Sequence, residues 1–189
     1  MKKIVIFASG SGSNAENIIR FFEKNKLVEV SCVFCNNPDA KVIEKAKINN
    51  VETFIFNKVG LIEGEVLQKL EEIIPDLIVL AGFLWKFPES IIRKFPNKII
   101  NIHPALLPNY GGKGMYGMNV HQAVFDNKEV ETGITIHYVN ENYDEGEIIF
   151  QKNTDILNCK SPNEIAQKIH ELEMENFPKV IDGILNSRT

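Results

Sequence analysis

The two side chains best suited to chemistry in this sequence lie two residues apart, in Asn101-Ile102-His103-Pro104. Residues at i and i+2 of a strand share a face, so Asn101 and His103 can point at one ligand atom. Pro104 keeps His103 extended and ends the strand, which places both side chains at the carboxyl end, where open parallel sheets bind ligands. Such a histidine can exchange protons, and an amide N–H can stabilise an oxyanion. Taken alone, a histidine at a strand end is more often structural.

A carboxylate in a later loop favours a catalytic over a structural role for His103. Asp144 lies in the loop 140–146, and from there it could raise the pKa of His103 or hold a water beside it. Composition does not separate Asp144 from the other nearby carboxylates, which are Glu141, Glu145 and Glu147. The loop is also compatible with a solvated acidic turn.

A glycine- and serine-rich segment, 9–15, joins the first predicted strand to the first predicted helix. Its Gly10-x-Gly12-x-x-Ala15 spacing matches the fingerprint of dinucleotide sites, where glycines let backbone amides approach a phosphate at a helix N-terminus. Such sites usually also have an acidic residue after the second strand, where this chain has Cys35-Asn36-Asn37. The serines and Asn14 offer neutral donors around one anion, so a monophosphate fits better than NAD. The alternative is a glycine-rich turn that binds no ligand.

The other three histidines are weaker candidates. His137 alternates within an apolar strand, which predicts a core or edge residue. His121 opens a helix and is expected to cap it or to pack against its neighbours. His170 lies on the predicted C-terminal helix, where it faces either solvent or the site. The spacings of His, Asp and Glu are not typical of a metal site, so no metal is expected.

The cysteines include Cys32-x-x-Cys35, a spacing found in zinc and redox sites. The surrounding residues favour a strand, in which positions three apart point to opposite faces. Cys159 stands alone, so no second pair follows at zinc spacing. We therefore expect buried thiols in a reducing compartment, and a cytoplasmic protein.

The elements that must position these side chains follow from the periodicity of the apolar residues. Apolar, β-branched runs alternate with amphipathic segments up to His103, an order that predicts an open, mostly parallel sheet with helices on both faces. The predicted strands are 2–8, 29–35, 51–56, 76–81 and 98–103, and the predicted helices are 14–23, 39–48, 61–73 and 88–94. Ser13 or Asn14 is expected to cap the first helix.

The pattern changes after His103. Two prolines and four glycines in 104–118 predict an irregular loop or lid. A short helix over 120–127, an antiparallel strand pair over 132–139 and 146–153, and a long helix over 161–185 follow, the last capped by Ser161. The predicted fold class is α/β, a Rossmann-like sheet with a C-terminal antiparallel strand pair and a long helix.

Composition limits the classes of function. The 189 residues carry a net charge of −4, with 44% hydrophobic and 9% aromatic residues. This length suits a single domain, 1–189, and the composition excludes a disordered chain. The acidic balance argues against a broad basic face for nucleic acid. The apolar run 4–8 is too short for a signal peptide or a membrane span.

Four motifs along the chain carry a specific resemblance. They are Ser9-Gly10-Ser11-Gly12-Ser13-Asn14, Leu80-Ala81-Gly82-Phe83 after Pro75-Asp76, Asn101-Ile102-His103-Pro104-Ala105-Leu106-Leu107-Pro108, and Thr132-Gly133 with the later Asp144. With them the chain resembles the phosphoribosylglycinamide formyltransferase family, folate-dependent enzymes of purine synthesis, over essentially its whole length. The resemblance implies formyl transfer from 10-formyltetrahydrofolate to the amine of 5'-phosphoribosylglycinamide through a tetrahedral intermediate, without a metal.

The resemblance also implies roles for particular residues. Asn101, His103 and Asp144 would form the catalytic triad, with Asp144 keeping His103 cationic. The substrate phosphate and ribose would be held by Gly12, Ser13, Asn14 and Glu173. The formylfolate would contact Leu84, Trp85, Lys86, Phe87, Asn101 and Asn140, and the 140–144 loop would close its pocket. Residues 1–100 would then form a phosphate-binding half, and 101–189 a catalytic and folate-binding half.

The sequence departs from the family pattern in three places. Trp85-Lys86 replaces the middle of a segment that often reads Met-Arg-Ile-Leu, Glu145-Gly146 stands where Gly-Gly is commoner, and the loop 111–118 is longer than in many members. None of these departures removes a catalytic group. We expect the partners to be small molecules, and neither nucleic acid nor a membrane. The protein is expected to be a monomer or a homodimer.

Three alternatives share some of these features. A methionyl-tRNA formyltransferase would be expected to have a further C-terminal domain and a basic surface, and a formyltetrahydrofolate hydrolase an N-terminal regulatory domain. A non-catalytic nucleotide-binding module would explain the sheet and the glycine loop. It would not require Asn101, His103 and Asp144 together.

Overall fold

The alternating strands and helices assemble into one seven-stranded sheet in the computed structural model, which describes residues 1–187. The sheet order is β3-β2-β1-β4-β5-β6-β7. The strands are β1 (Lys2–Ala8), β2 (Val28–Cys35), β3 (Glu52–Ile55), β4 (Leu77–Leu80), β5 (Ile99–His103), β6 (Glu131–Tyr138) and β7 (Ile148–Asp155). The helices are α1 (Ser13–Phe22), α2 (Lys41–Ile48), α3 (Lys58–Glu63), α4 (Glu65–Ile73), α5 (Glu89–Lys94), α6 (Met118–Asp126) and α7 (Pro162–Ser187).

The first five strands are parallel, and β1 lies between β2 and β4. A strand paired on both sides and covered on both faces must be apolar throughout, which explains the buried run 4–8. Alternate residues enter two cores. Ile4 and Ile6 join the core that includes α1, α2 and α7, whereas Val5 and Phe7 join the core of α3, α4 and α5.

The last two strands turn the sheet antiparallel. β6 pairs with β5 and β7 pairs with β6, and Asn101 lies directly opposite His137 in the β5–β6 register. The long helix α7 packs against α1 and α6. The predicted fold class, a mostly parallel α/β sheet with a C-terminal antiparallel pair and a long helix, is confirmed.

The cysteines lie where the strand argument places them. Cys32 and Cys35 are buried and unpaired on β2, and each enters a different one of the two cores. Within residues 1–187 no helix has the length and apolar character to cross a membrane.

Two details of the helices differ from the prediction. The predicted helix 61–73 is two helices, α3 and α4, because Gly64 adopts φ +106 between them. The expected cap at Ser13 or Asn14 is wrong, because Gly12 is the N-cap of α1 with φ +69 and no side chain caps this helix. The Ser161 cap is present, since its Oγ accepts from the Glu164 amide at 3.3 Å.

Candidate active site

The predicted site residues converge on one cavity of about 690 Å³ at the carboxyl ends of the parallel strands. Its walls are the loop after β1, the segment after β4, the end of β5, the loop before α6, the loop between β6 and β7, and one face of α7. Every residue predicted for the catalytic, substrate or folate roles lines this cavity. Sheet topology therefore brings together residues separated by up to about 160 positions in the chain.

Asn101 and His137 form the first pair of the candidate catalytic cluster. Asn101 Nδ2 lies 3.1 Å from His137 Nε2, and His137 Nδ1 lies 2.9 Å from the Tyr138 carbonyl. A carbonyl only accepts, so Nδ1 carries the proton of neutral His137 and Nε2 accepts from Asn101. This contact orients the Asn101 amide, whose nitrogen carries a second N–H.

His103 and Asp144 form the second pair. The His103 side chain is 4% exposed, and its Nε2 lies 2.7 Å from the Tyr110 carbonyl. Its Nδ1 lies 3.6 Å from Asp144 Oδ2, which accepts from the Gly112 amide at 2.9 Å. Asp144 Oδ1 lies 3.6 Å from His137 Nε2. The carboxylate thus sits between two imidazoles.

Burial decides the charge of His103. Desolvation lowers the pKa of His103 below its ordinary value, although the nearby Asp144 and the Tyr110 carbonyl act to raise it. The expectation that Asp144 keeps His103 cationic is therefore wrong in its net direction, because the cost of burying the charge outweighs the attraction. Burial acts to raise the pKa of Asp144, but contacts with His137, His103 and Gly112 lower it overall. The pair is thus set up as a neutral imidazole beside an ionised carboxylate.

The loop after β1 brings the N-terminus of α1 to the same cavity. Gly12 is required there, because a Cβ on it would lie 2.5 Å from Val42 Cβ on α2. Asn14 Nδ2 donates to Glu173 Oε2 on α7 at 2.8 Å, and Asn14 Oδ1 is buried without a partner. An open helix N-terminus attracts anions, so this end suits a phosphate.

Two histidines complete this end of the cavity. His170 Nδ1 lies 3.9 Å from Glu173 Oε2, and this contact raises the pKa of His170. His121 is 6% exposed, its Nδ1 has no partner, and burial lowers its pKa. His170 therefore tends towards the charged form and His121 towards the neutral form.

The segment after β4 forms an apolar wall opposite the 140–144 loop. The Leu84 amide donates to Ser9 Oγ at 3.2 Å, which ties this wall to the loop after β1. Phe87 is buried, and the Trp85 ring lies 6.3 Å from that of Phe83. Lys86 Nζ lies 5.9 Å from the centre of the Tyr143 ring, within the range of a cation–π interaction. This contact links the wall to the 140–144 loop.

The structure also separates candidates that composition left equivalent. Asp144 reaches the cluster, whereas the three nearby glutamates, Glu141, Glu145 and Glu147, are exposed. His137, expected to be a core or edge residue, is buried on β6 and also lies beside Asn101 and Asp144. The feature that places His137 beside Asn101 is the pairing of β5 with β6, and this register is not visible in the sequence alone. The Asn140 side chain lines the cavity and caps its own loop, accepting from the Asn142 amide at 2.9 Å. Among residues 1–187 no group of three His, Cys, Asp or Glu side chains could hold a metal.

Comparisons with known proteins identify the family of this chain. A family model described as formyl transferase matches residues 2–181. The phosphoribosylglycinamide formyltransferase of Bacillus subtilis is 37% identical over 98% of this chain and 95% of its own length. The chloroplastic enzyme of the same name from Arabidopsis thaliana is 34% identical over 99% of this chain. The chain spans 66% of that relative's length and 62% of a similar one from Vigna unguiculata.

Solved structures give the same result. The phosphoribosylglycinamide formyltransferase of Bacillus halodurans has a TM-score of 0.89 at 31% identity, covering 100% of this chain and 97% of that one. Glycinamide ribonucleotide transformylase 1 from Geobacillus kaustophilus has a TM-score of 0.89 at 34% identity, covering 98% and 99%. These matches confirm the resemblance seen in the motifs. The chain belongs to the formyl transferase family, and within it to the phosphoribosylglycinamide formyltransferases.

Proposed function

We propose that this protein transfers the formyl group of 10-formyltetrahydrofolate to the amine of 5'-phosphoribosylglycinamide, in de novo purine (IMP) biosynthesis. The observation that carries the proposal is the meeting of Asn101, His103 and Asp144 in the same cavity as the N-terminus of α1. A transferase acting on a phosphorylated amine needs an anion site beside groups that move a proton. The names of the relatives in Bacillus subtilis and Bacillus halodurans support the same activity.

The end of the cavity at α1 is proposed to bind the acceptor. Gly12, Ser13 and Asn14 would hold its phosphate, because the N–H groups of a helix N-terminus favour an anion. Glu173, beside Asn14, would bind near the ribose. His170, whose pKa is raised by Glu173, supports the anion site with positive charge.

The other end of the cavity is proposed to bind the formylfolate. A volume of about 690 Å³ lies within the range of small-molecule sites. The apolar and aromatic wall formed by Leu84, Trp85 and Phe87 suits a flat heterocycle, and Lys86 and Asn140 lie on the same cavity. When bound, the formylfolate supplies an electrophilic formyl carbon.

The catalytic cluster is proposed to move one proton and to stabilise one developing charge. The acceptor amine must lose a proton, which neutral His103 can take at Nδ1, the nitrogen facing Asp144. The ionised Asp144 stabilises the imidazolium that results, and this in turn can protonate the leaving nitrogen. The second N–H of Asn101 can donate to the oxygen that gains negative charge. Holding the two ligands together in the right orientation provides much of the rate enhancement. The transfer needs no covalent bond to the enzyme.

The remaining predictions about organisation stay proposals. We propose one functional unit over 1–189, in which the acceptor's phosphate site lies within 1–100 and the catalytic triad within 101–189. The wall Leu84–Phe87 lies in the first of these halves, so both halves would contact the formylfolate. Small-molecule partners, a cytoplasmic location and a monomer or homodimer are part of the same proposal, which the net charge of −4 supports against a nucleic-acid partner.

One assay tests the proposed function. Purified protein is incubated with 10-formyltetrahydrofolate, with and without 5'-phosphoribosylglycinamide, and both loss of the formyl donor and formylation of the acceptor are measured. We expect donor consumption only when the acceptor is present. His103→Ala should lower kcat by about 10²–10⁴-fold, the range for a positioned acid–base group. Equal donor consumption without the acceptor would instead indicate a hydrolase.

A further inference from the structure

Tyr110 contacts His103 through its backbone rather than its side chain. Its carbonyl oxygen lies 2.7 Å from His103 Nε2, and its φ is +58. A bulky residue with a positive φ is an outlier that the surrounding structure must hold in place. The Tyr110 backbone therefore needs an anchor.

The Tyr110 side chain supplies that anchor at its far end. Its hydroxyl donates to Glu129 Oε1 at 2.6 Å and accepts from Asn127 Nδ2 at 2.9 Å. Asn127 is the C-cap of α6, and Glu129 lies two residues beyond it. The ring packs against the core that includes α6, α7 and β6. The loop that carries the Tyr110 carbonyl is thus fastened to the end of α6.

Two acceptors compete for the single N–H of neutral His103. The Tyr110 carbonyl lies 2.7 Å from Nε2, whereas Asp144 Oδ2 lies 3.6 Å from Nδ1, beyond ordinary hydrogen-bond distance. A carbonyl cannot donate, so this geometry requires the proton on Nε2. The lone pair of Nδ1 then faces Asp144 and the cavity, and can receive a proton.

We propose that Tyr110 is a positioning residue whose hydroxyl, held by Glu129 and Asn127, places its carbonyl so that neutral His103 carries its proton on Nε2. His137, whose Nδ1 donates to the Tyr138 carbonyl, carries its proton on the opposite nitrogen. Asp144 therefore faces the unprotonated nitrogen of both imidazoles. When the anchor is lost, the carboxylate draws the His103 proton to Nδ1, and the nitrogen that should accept a proton is blocked. The consequence for catalysis rests on the proposed function, but the tautomer does not.

The test measures the tautomer directly. In protein with ¹⁵N-labelled histidine, the His103 signals are identified by their absence in His103→Asn, and the ring nitrogen shifts report which nitrogen is protonated. The variants are Tyr110→Phe, which removes both hydroxyl hydrogen bonds, and Glu129→Ala, which removes the acceptor. Glu129→Gln keeps an acceptor oxygen and should restore the wild-type state. Glu131→Ala is the matched control, since this exposed carboxylate accepts from Asn153 and does not touch Tyr110.

We expect one Nε2–H tautomer in the wild type, in Glu129→Gln and in Glu131→Ala, and a mixture with Nδ1–H in Tyr110→Phe and Glu129→Ala. The kcat for formyl transfer should fall about tenfold in the last two, with KM for the acceptor nearly unchanged. A single Nε2–H tautomer in both would overturn the proposal, and Glu129→Ala decides if Tyr110→Phe does not fold. If the tautomer changes as expected but the wild type does not transfer formyl groups, the proposed function is wrong and the role of Tyr110 stands.

Discussion

Asp144 is the residue on which the candidate catalytic cluster converges. Its φ of +57 places a non-glycine residue in the left-handed region, a conformation that costs on the order of 1 kcal/mol or more. Its Oδ2 accepts from the Gly112 amide, and its two oxygens each lie 3.6 Å from an imidazole nitrogen. The hydrogen bond from Gly112 therefore holds the carboxylate where its charge acts on His103.

Asp144→Asn tests that electrostatic effect. The carboxylate acts to raise the pKa of His103, so its removal should lower that pKa further and move the His103 limb of the pH–rate profile to lower pH. Asn has nearly the size of Asp, so ligand affinities should change less than kcat. The measurement is an NMR titration of His103 in both proteins, together with kcat against pH. An unchanged His103 pKa would mean that Asp144 acts by holding a water or by position alone.

At the scale of elements, α1 and α7 together build the end of the cavity proposed for the acceptor. Asn14 donates to Glu173, and one turn later Asn17 Nδ2 donates to the Met174 carbonyl at 2.8 Å. Gly12 permits α2 to approach this helix, so a side chain there would disturb packing as well as binding. Asn14 is therefore the better position at which to test the anion site.

Asn14→Asp should weaken acceptor binding while leaving folate binding intact. It places a negative charge beside Glu173 at the helix N-terminus, where a phosphate would be repelled, and we expect acceptor affinity to fall by about tenfold or more. Asn17→Asp is the matched control, because it adds the same charge to the same helix and also loses a contact with α7, but does not line the cavity. Calorimetric titration of both variants with the acceptor and with a folate analogue decides the outcome. Equal losses for both ligands would argue against a phosphate site at this loop.

At the scale of the whole molecule, the strand order places the cavity. The chain runs outward from β1 to β2 and β3, then crosses to β4 on the other side of β1. The connections after β1 and β4 therefore leave the sheet in different directions, and a crevice opens between them. The antiparallel β6 adds His137, and α7 closes the far side with Glu173.

The buried histidines should make the stability of the whole fold depend on pH. Burial lowers the pKa of both His103 and His121 below the ordinary 6.5, so the unfolded chain binds more protons and stability is lost as pH falls through about that value. The raised pKa of the half-exposed His170 works in the opposite direction, with stability lost as pH rises. We expect the effect of the two buried histidines on stability to outweigh that of His170.

The free energy of unfolding in urea should be lower at pH 5.5 than at pH 7.5, and His121→Gln should reduce that difference. The same difference in this variant would show that His121 does not contribute.

The sequence by itself predicted most of the elements and most of the residues that line the candidate site. Short, β-branched apolar runs such as 4–8 favour strands buried on both faces, and the alternation of such runs with amphipathic helices predicts an α/β sheet. Asn101, His103 and Pro104 could be placed at a strand end because side-chain direction in a strand has a period of two. These features are local, so they depend on neighbouring residues that a linear sequence displays.

Only the tertiary structure decided the partners and the charges. His137 joins the cluster through the β5–β6 register, and the Tyr110 carbonyl meets His103. The net direction of the His103 pKa also depends on burial, which outweighs the one nearby carboxylate that the sequence suggested. Pairing register, backbone contacts and desolvation all depend on what lies nearby in space. Residues far apart in the chain determine these three features, so the features exist only in the complete fold.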